Sequence, residues 1–214
     1  MIAPAALLLD LDGTLVDSEP RHIRAHLRFL AGVGLAVTEA DCLANIGKGD
    51  RSFYRLLRER AGRTDGDPDE WVEGKTDVLI DLYRTEGLPL QPGVTALLDR
   101  AWRAGIPCQV VTSAERRLAV AALEATGLSQ RLPARVCFED VTRPKPNPDP
   151  YLLAARRLGL PPSRCWVIED SVTGATAGMA AGCVTWAVAG LVPADRLAAT
   201  GARVVTSIDQ VVWA

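Results

Sequence analysis

An α/β fold is predicted for this 214-residue chain: a Rossmann-like parallel sheet with helices on both faces, interrupted by an inserted all-helical domain. Two observations predict it. From Pro92 onward, short β-type runs (CQVVT near 108, RVCF near 135, CWVI near 165, VTWAV near 184 and RVV near 203) alternate with helical patterns, the order that winds a parallel sheet. Between Val16 and Leu90 the texture changes to helix signals without a convincing strand. The sheet domain is therefore placed at residues 1–16 and 91–214 and the helical insert at 17–90, with hinges at Val16 to Pro20 and Leu88 to Gly93.

The first strand is the apolar run Ala5 to Leu9, long enough for a strand buried on both faces. In the insert, Thr38 and Asp41 have the spacing of a capping box, Asp50 is placed to cap RSFYRLLRERA, and Asp67-Pro68-Asp69-Glu70 sets a cap, a first-turn proline and acids in helical order. Gly105, Gly127, Gly159 and Gly182 each follow a helical stretch, where a left-handed C-cap is wanted.

Composition removes several function classes. A formal charge of −2 with scattered Lys and Arg gives no basic stripe, which argues against nucleic acid. The N-terminal apolar segment is short, has no Lys or Arg before it and runs into Asp10 and Asp12, so it reads as neither signal peptide nor membrane span. Five cysteines, Cys42, Cys108, Cys137, Cys165 and Cys183, are odd in number and lack a Cys-x-x-Cys pair. They read as buried apolar residues in a reducing cytoplasm. No obligate protein partner is evident.

The segment DLDGTLVDSEP, Asp10 to Pro20, places two carboxylates at the end of an apolar run. Ionised acids beside such a core are costly unless a cation neutralises them. A strand-end Asp, a second Asp two residues on and a turn at Gly13 suggest a nucleophilic carboxylate with a neighbouring acid/base at an open metal site. Each piece alone is also ordinary turn chemistry. Three further elements accompany it: Thr112 and Ser113 after an apolar run, Lys145 inside RPKPNPDPY, and Glu169 with Asp170 before SVTGATAGMAAG. In a parallel sheet, ligands bind beyond the carboxyl ends of the strands, so residues at these ends converge on one crevice.

These four elements, in this order, resemble the motifs of the haloacid dehalogenase-like phosphotransferase superfamily, in the branch of β-phosphoglucomutase and sugar phosphatases with a helical cap after the first motif. The resemblance spans nearly the whole chain and is weakest between the first two motifs. It implies Asp10 as nucleophile forming an aspartyl-phosphate and Asp12 as general acid/base. Ser113 or Thr112 would hold phosphate oxygens, and Lys145 would bridge Asp10 and the phosphate. Mg²⁺ would be held by Asp10, the main-chain carbonyl of Asp12 and Asp170, with Glu169 as ligand or orienting group. The cap would supply substrate contacts from His22, Lys48, Arg51 and Lys75. Asp12 argues against the dehalogenase branch, because a halide leaves without a proton. The implied function is a Mg²⁺-dependent phosphatase for a small phosphorylated metabolite, most directly a sugar phosphate. A phosphomutase using the same core groups and a catalytically silent binding protein on the same fold are the alternatives. Lys145-Pro146 is expected to be cis, so that Lys145 turns back toward Asp10.

Overall fold

The computed structural model describes residues 2–45, 49–63, 67–132 and 134–213. The chain divides into two compact units, residues 1–17 with 88–214, and 18–87. The first holds a six-stranded, all-parallel sheet of β1 (Ala6–Leu9), β2 (Cys108–Val111), β3 (Ala134–Val136), β4 (Cys165–Glu169), β5 (Val184–Val188) and β6 (Arg203–Val205), in the order β3-β2-β1-β4-β5-β6. All four residues of β1 are fully buried, as expected of a central strand in a parallel sheet, where both faces are covered and polar alternation disappears.

Strand order reverses direction at β1. From there the chain builds outward through β2 and β3, then returns to the other side of β1 and builds outward through β4, β5 and β6. The gap between the carboxyl ends of β1 and β4 is therefore the topological switch point, where the connections depart to opposite sides and leave a crevice. Pairing of Leu9 with Ile168, and of the Asp10 N–H with the Ile168 carbonyl at 3.0 Å, sets Asp10 beside Glu169 at that point.

In chain order the helices are α1 (Glu19–Gly32), α2 (Glu39–Leu43), α3 (Asp50–Arg60) and α4 (Pro68–Glu86) in the second unit, and α5 (Val94–Arg103), α6 (Arg116–Ala125), α7 (Asp149–Arg157), α8 (Val172–Ala180) and α9 (Ala194–Ala198) in the first. On one face of the sheet Leu8 and Val167 pack with Tyr151, Ala154 and Ala155 of α7 and Ala177 of α8. Period-two alternation sends Trp166 and Trp186 to the opposite face. Their rings lie 5.5 Å apart, with Trp213 6.1 Å from Trp166. All five cysteines are free thiols. No helix among the described residues is long and apolar enough to cross a membrane.

The helical unit has its own core, Ile23, Leu30, Cys42, Phe53 and Tyr54, with Phe29 and Trp71 packed against it. The Thr38–Asp41 capping box forms in both directions, and the Asp67 carboxylate accepts from the Asp69 N–H at 3.0 Å. Asp50 departs from expectation. It is the first residue of α3, the N-cap position is Gly49, and no side-chain cap forms, because the Asp50 carboxylate is held by Lys75 and His26. The unit is also shorter than the 17–90 read from the sequence. The Asp17 N–H bonds to the Pro89 carbonyl at 2.9 Å, the Gln91 N–H bonds to the Leu15 carbonyl at 3.0 Å, and Val16 bridges Leu90. This short ladder keeps both connecting segments with the sheet.

Candidate active site

The site is built on the ends of β1, β2 and β4 and on the proline-framed loop before α7. Asp10, immediately after β1, is 8% exposed. Lys145 reaches it from between Pro144 and Pro146, across a cis Lys145-Pro146 bond. Its ammonium donates to Asp10 Oδ1 at 2.6 Å, Glu169 Oε1 at 2.6 Å and the Val111 carbonyl at 2.9 Å, and its side chain is 4% exposed. An ammonium has three donors, and all three are engaged. Burial would lower the Lys145 pKa, but Asp10 and Glu169 hold it above the ordinary lysine value, so Lys145 is charged.

Asp10, Glu169 and Asp170 offer carboxylate oxygens within 4.8 Å of one another. Burial first, then Glu169 and Asp170, pushes the Asp10 carboxyl well above its ordinary range despite Lys145. Burial and Glu169 push Asp170 up to about 7. One lysine thus leaves three clustered acids undercompensated. A divalent cation would restore the balance, and a purely oxygen donor set is the chemistry Mg²⁺ prefers. The residues present therefore fit Mg²⁺.

Glu169 is fully enclosed and its oxygens are already occupied. Oε1 accepts from Lys145 and from the Tyr151 hydroxyl at 2.7 Å. Oε2 accepts from the Ser171 hydroxyl at 2.9 Å and, more weakly, from the N–H groups of Asp170 and Ser171 at 3.3 and 3.4 Å. Gly174 makes room for it, since a Cβ there would stand 1.8 Å from Glu169 Oε1. A second close approach fixes Gly13, whose φ is +80° and whose added Cβ would lie 2.0 Å from Asp170 Oδ2. Any side chain at residue 13 would displace Asp170. Asp12 is half-buried beside this turn, and Thr14 donates to Asp170 Oδ1 at 3.4 Å.

The two hydroxyls after β2 separate. Thr112 is buried and its oxygen accepts the Ala114 N–H at 3.0 Å, shaping the turn. Ser113 is exposed at the same strand end. The following helix is closed by Glu139, whose carboxylate accepts the Arg116 N–H at 3.0 and 3.1 Å.

Within the helical unit, both histidines of the chain and Lys75 join one polar cluster. Lys75 is 1% exposed; its ammonium donates to Asp50 Oδ2 at 2.8 Å and lies 2.9 Å from His22 Nδ1. His26 is 3.5 Å from Asp50 Oδ1 and 2.7 Å from the Tyr54 hydroxyl. Arg51 is exposed and pairs with Asp69 at 3.0 Å. Lys48 lies outside the described residues. Asp50, Tyr151 and Ser171 escaped the sequence reading: an acid opening a helix reads as a cap, and a tyrosine or serine beside a motif carries no distinguishing signal.

Burial alone would raise the Asp50 pKa, but His26 and Lys75 hold it well below the usual carboxylate range. A depressed pKa contributes stability that is complete above the unfolded value, about 3.9, and fades as pH falls below it. Asp50→Asn is therefore expected to be less stable than the parent in urea at pH 7, with the gap narrowing at pH 3.5. An equal gap at both values would mean that the charge on Asp50 does not hold the cluster.

A family model described as haloacid dehalogenase-like hydrolase matches residues 4–182. The chain is 41% identical over 181 residues to hexitol phosphatase A of Escherichia coli (strain K12), covering 82% of this chain and 79% of that protein. It is 33% identical over 182 residues to fructose-1-phosphate phosphatase of the same organism, covering 83% of this chain and 93% of that protein. Among solved structures it resembles CbbY from Rhodobacter sphaeroides in complex with phosphate, at 28% identity and a TM-score of 0.81, with 97% of this chain and 96% of that one covered.

Proposed function

The chain belongs to the haloacid dehalogenase-like hydrolases, and from that premise we propose that it is a Mg²⁺-dependent phosphatase acting on a sugar phosphate or sugar-alcohol phosphate. The observation that carries the proposal is the Lys145 ammonium bonded to both Asp10 and Glu169, with Asp170 alongside, at the switch point of the sheet. The similarity to two phosphatases of phosphorylated hexose derivatives supports the substrate class.

Asp10 and Asp170, with the main-chain carbonyl of Asp12, would hold Mg²⁺, and Glu169, its oxygens occupied by protein donors, orients Lys145. Bound there, Mg²⁺ supplies charge that screens the repulsion between a carboxylate nucleophile and a phosphate dianion. The Asp10 carboxylate attacks phosphorus, and the bond from phosphorus to the sugar oxygen breaks. Asp12, protonated, gives its proton to that leaving oxygen. The deprotonated Asp12 then takes a proton from water as the water oxygen attacks the Asp10 aspartyl-phosphate, and inorganic phosphate departs while the Asp10 carboxylate is regenerated. Ser113 contacts the phosphate and Thr112 shapes its turn. For the sugar portion we assign Arg51, whose exposed pairing with Asp69 exchanges at little cost. Lys48 and His22 stand as further candidates, and buried Lys75 orders its cluster. Five free thiols are in keeping with a cytoplasmic location.

The test is phosphate release from a panel of hexitol, ketose and aldose phosphates, with glucose 1-phosphate added with and without a bisphosphate primer. Release is expected only with Mg²⁺, to vanish with EDTA and to fall when Ca²⁺, with its larger and looser coordination, replaces Mg²⁺. Turnover that survives thorough chelation sinks the metal role. Primer-dependent isomerisation without phosphate release would instead identify a phosphomutase.

A further inference from the structure

We propose that Tyr151 is a positioning residue for this chemistry, its hydroxyl holding Glu169 so that Lys145 stays aligned on Asp10. The inference rests on the phosphatase reading above. Tyr151 lies in the first turn of α7 with no exposed surface. Its hydroxyl donates to Glu169 Oε1 at 2.7 Å, the oxygen that accepts from Lys145 at 2.6 Å, and Lys145 in turn donates to Asp10 Oδ1 at 2.6 Å. The Lys145 nitrogen also lies 5.1 Å from the centre of the Tyr151 ring. The aromatic body thus lies beside the ammonium while the hydroxyl secures the carboxylate.

Packing alone does not call for that hydroxyl. Around Tyr151 the cluster is alanine, valine, leucine and cysteine, which a phenylalanine ring would fill equally well, and a buried hydroxyl is costly unless bonded. The partner it finds is the carboxylate that competes with Asp10 for Lys145. With Tyr151 in place, Glu169 Oε1 shares its charge between two donors. Without the phenol, Glu169 Oε1 draws on Lys145 alone and pulls the ammonium away from Asp10.

The test uses para-nitrophenyl phosphate with saturating Mg²⁺, following kcat, KM and the melting temperature. Tyr151→Phe is expected to lower kcat about tenfold, the scale of one buried hydrogen bond to a charged group, with KM little changed and the protein still folded at the assay temperature. As a second arm, 3-fluorotyrosine placed at residue 151 keeps the packing and changes only the strength of the donor, so kcat should shift with phenol acidity. A kcat within twofold of the parent in both forms overturns the proposal, as does a loss of kcat that merely tracks the loss of folded protein. Failure of the parent enzyme to hydrolyse any phosphate ester would be a different result, striking the phosphatase reading itself.

Discussion

Asp10→Asn abolishes turnover while the protein stays folded: this is the largest effect expected of any single substitution here. An amide of nearly the same shape occupies the carboxylate's place but cannot attack phosphorus, and loss of a covalent nucleophile costs on the order of 10⁴-fold or more in kcat. Stability should move the other way. The Asp10 carboxyl is held well above its ordinary range, first by burial and then by Glu169 and Asp170. An acid raised in this way is disfavoured in the native state whenever it is ionised, so at neutral pH it burdens the cation-free fold. The neutral amide relieves that burden, and the melting temperature without Mg²⁺ should equal or exceed that of the parent. Mg²⁺ should in turn raise the melting temperature of the parent more than that of the variant, because stabilisation by a ligand follows its affinity for the native state. Residual kcat within tenfold of the parent would remove Asp10 from the nucleophile's role.

The core site was legible in the sequence because charge at the end of an apolar run is physically conspicuous. Asp10 after ALLL and Asp170 after CWVIE both stand where buried strands end, and the strand order brings those ends together. The strands were legible for the same reason, since parallel strands covered on both faces read as continuous apolar runs. Relations between side chains were not. Thr112 and Ser113 are equivalent as letters, and only the turn shows one hydroxyl turned inward onto Ala114 and the other exposed. Tyr151 is indistinguishable from a core aromatic until Glu169, eighteen residues away, is seen to accept from it. Asp50 has the position of a helix cap, and its diversion to Lys75 depends on α3 and α4 packing together. Lysine accounts for only three of the 24 basic residues, and both described lysines, Lys75 and Lys145, are buried in carboxylate pairs. Among the described residues the exposed cations are arginines, while a compact ammonium is kept where three donors must fit into a small space.

Lys145→Met carries the second large effect, because it strikes stability and chemistry together. The methionine fills most of the same volume but leaves Asp10, Glu169 and the Val111 carbonyl without the ammonium that now bonds all three. Removing one partner of a buried ion pair typically costs about 3–5 kcal/mol, since the charge left behind is neither solvated nor compensated. The acids here can relieve part of this by taking up a proton, so a loss near the lower end, about 3 kcal/mol, is expected from urea unfolding without metal. Turnover should fall on the order of 10³-fold with a raised KM, because the cation that holds the nucleophile and compensates negative charge beside it is gone. The pH dependence separates this from generic core damage. The Lys145 pKa is raised in the folded protein, so its contribution is fully present below the unfolded lysine value of about 10.4 and is lost only as pH rises through the higher folded value. The stability gap between parent and variant should therefore not narrow between pH 7 and pH 10, and it widens as the acids that took up a proton in the variant give it up again. A gap that closes by pH 9 would mean that Lys145 is not held charged by Asp10 and Glu169, and the ion-bridged site would lose its central support.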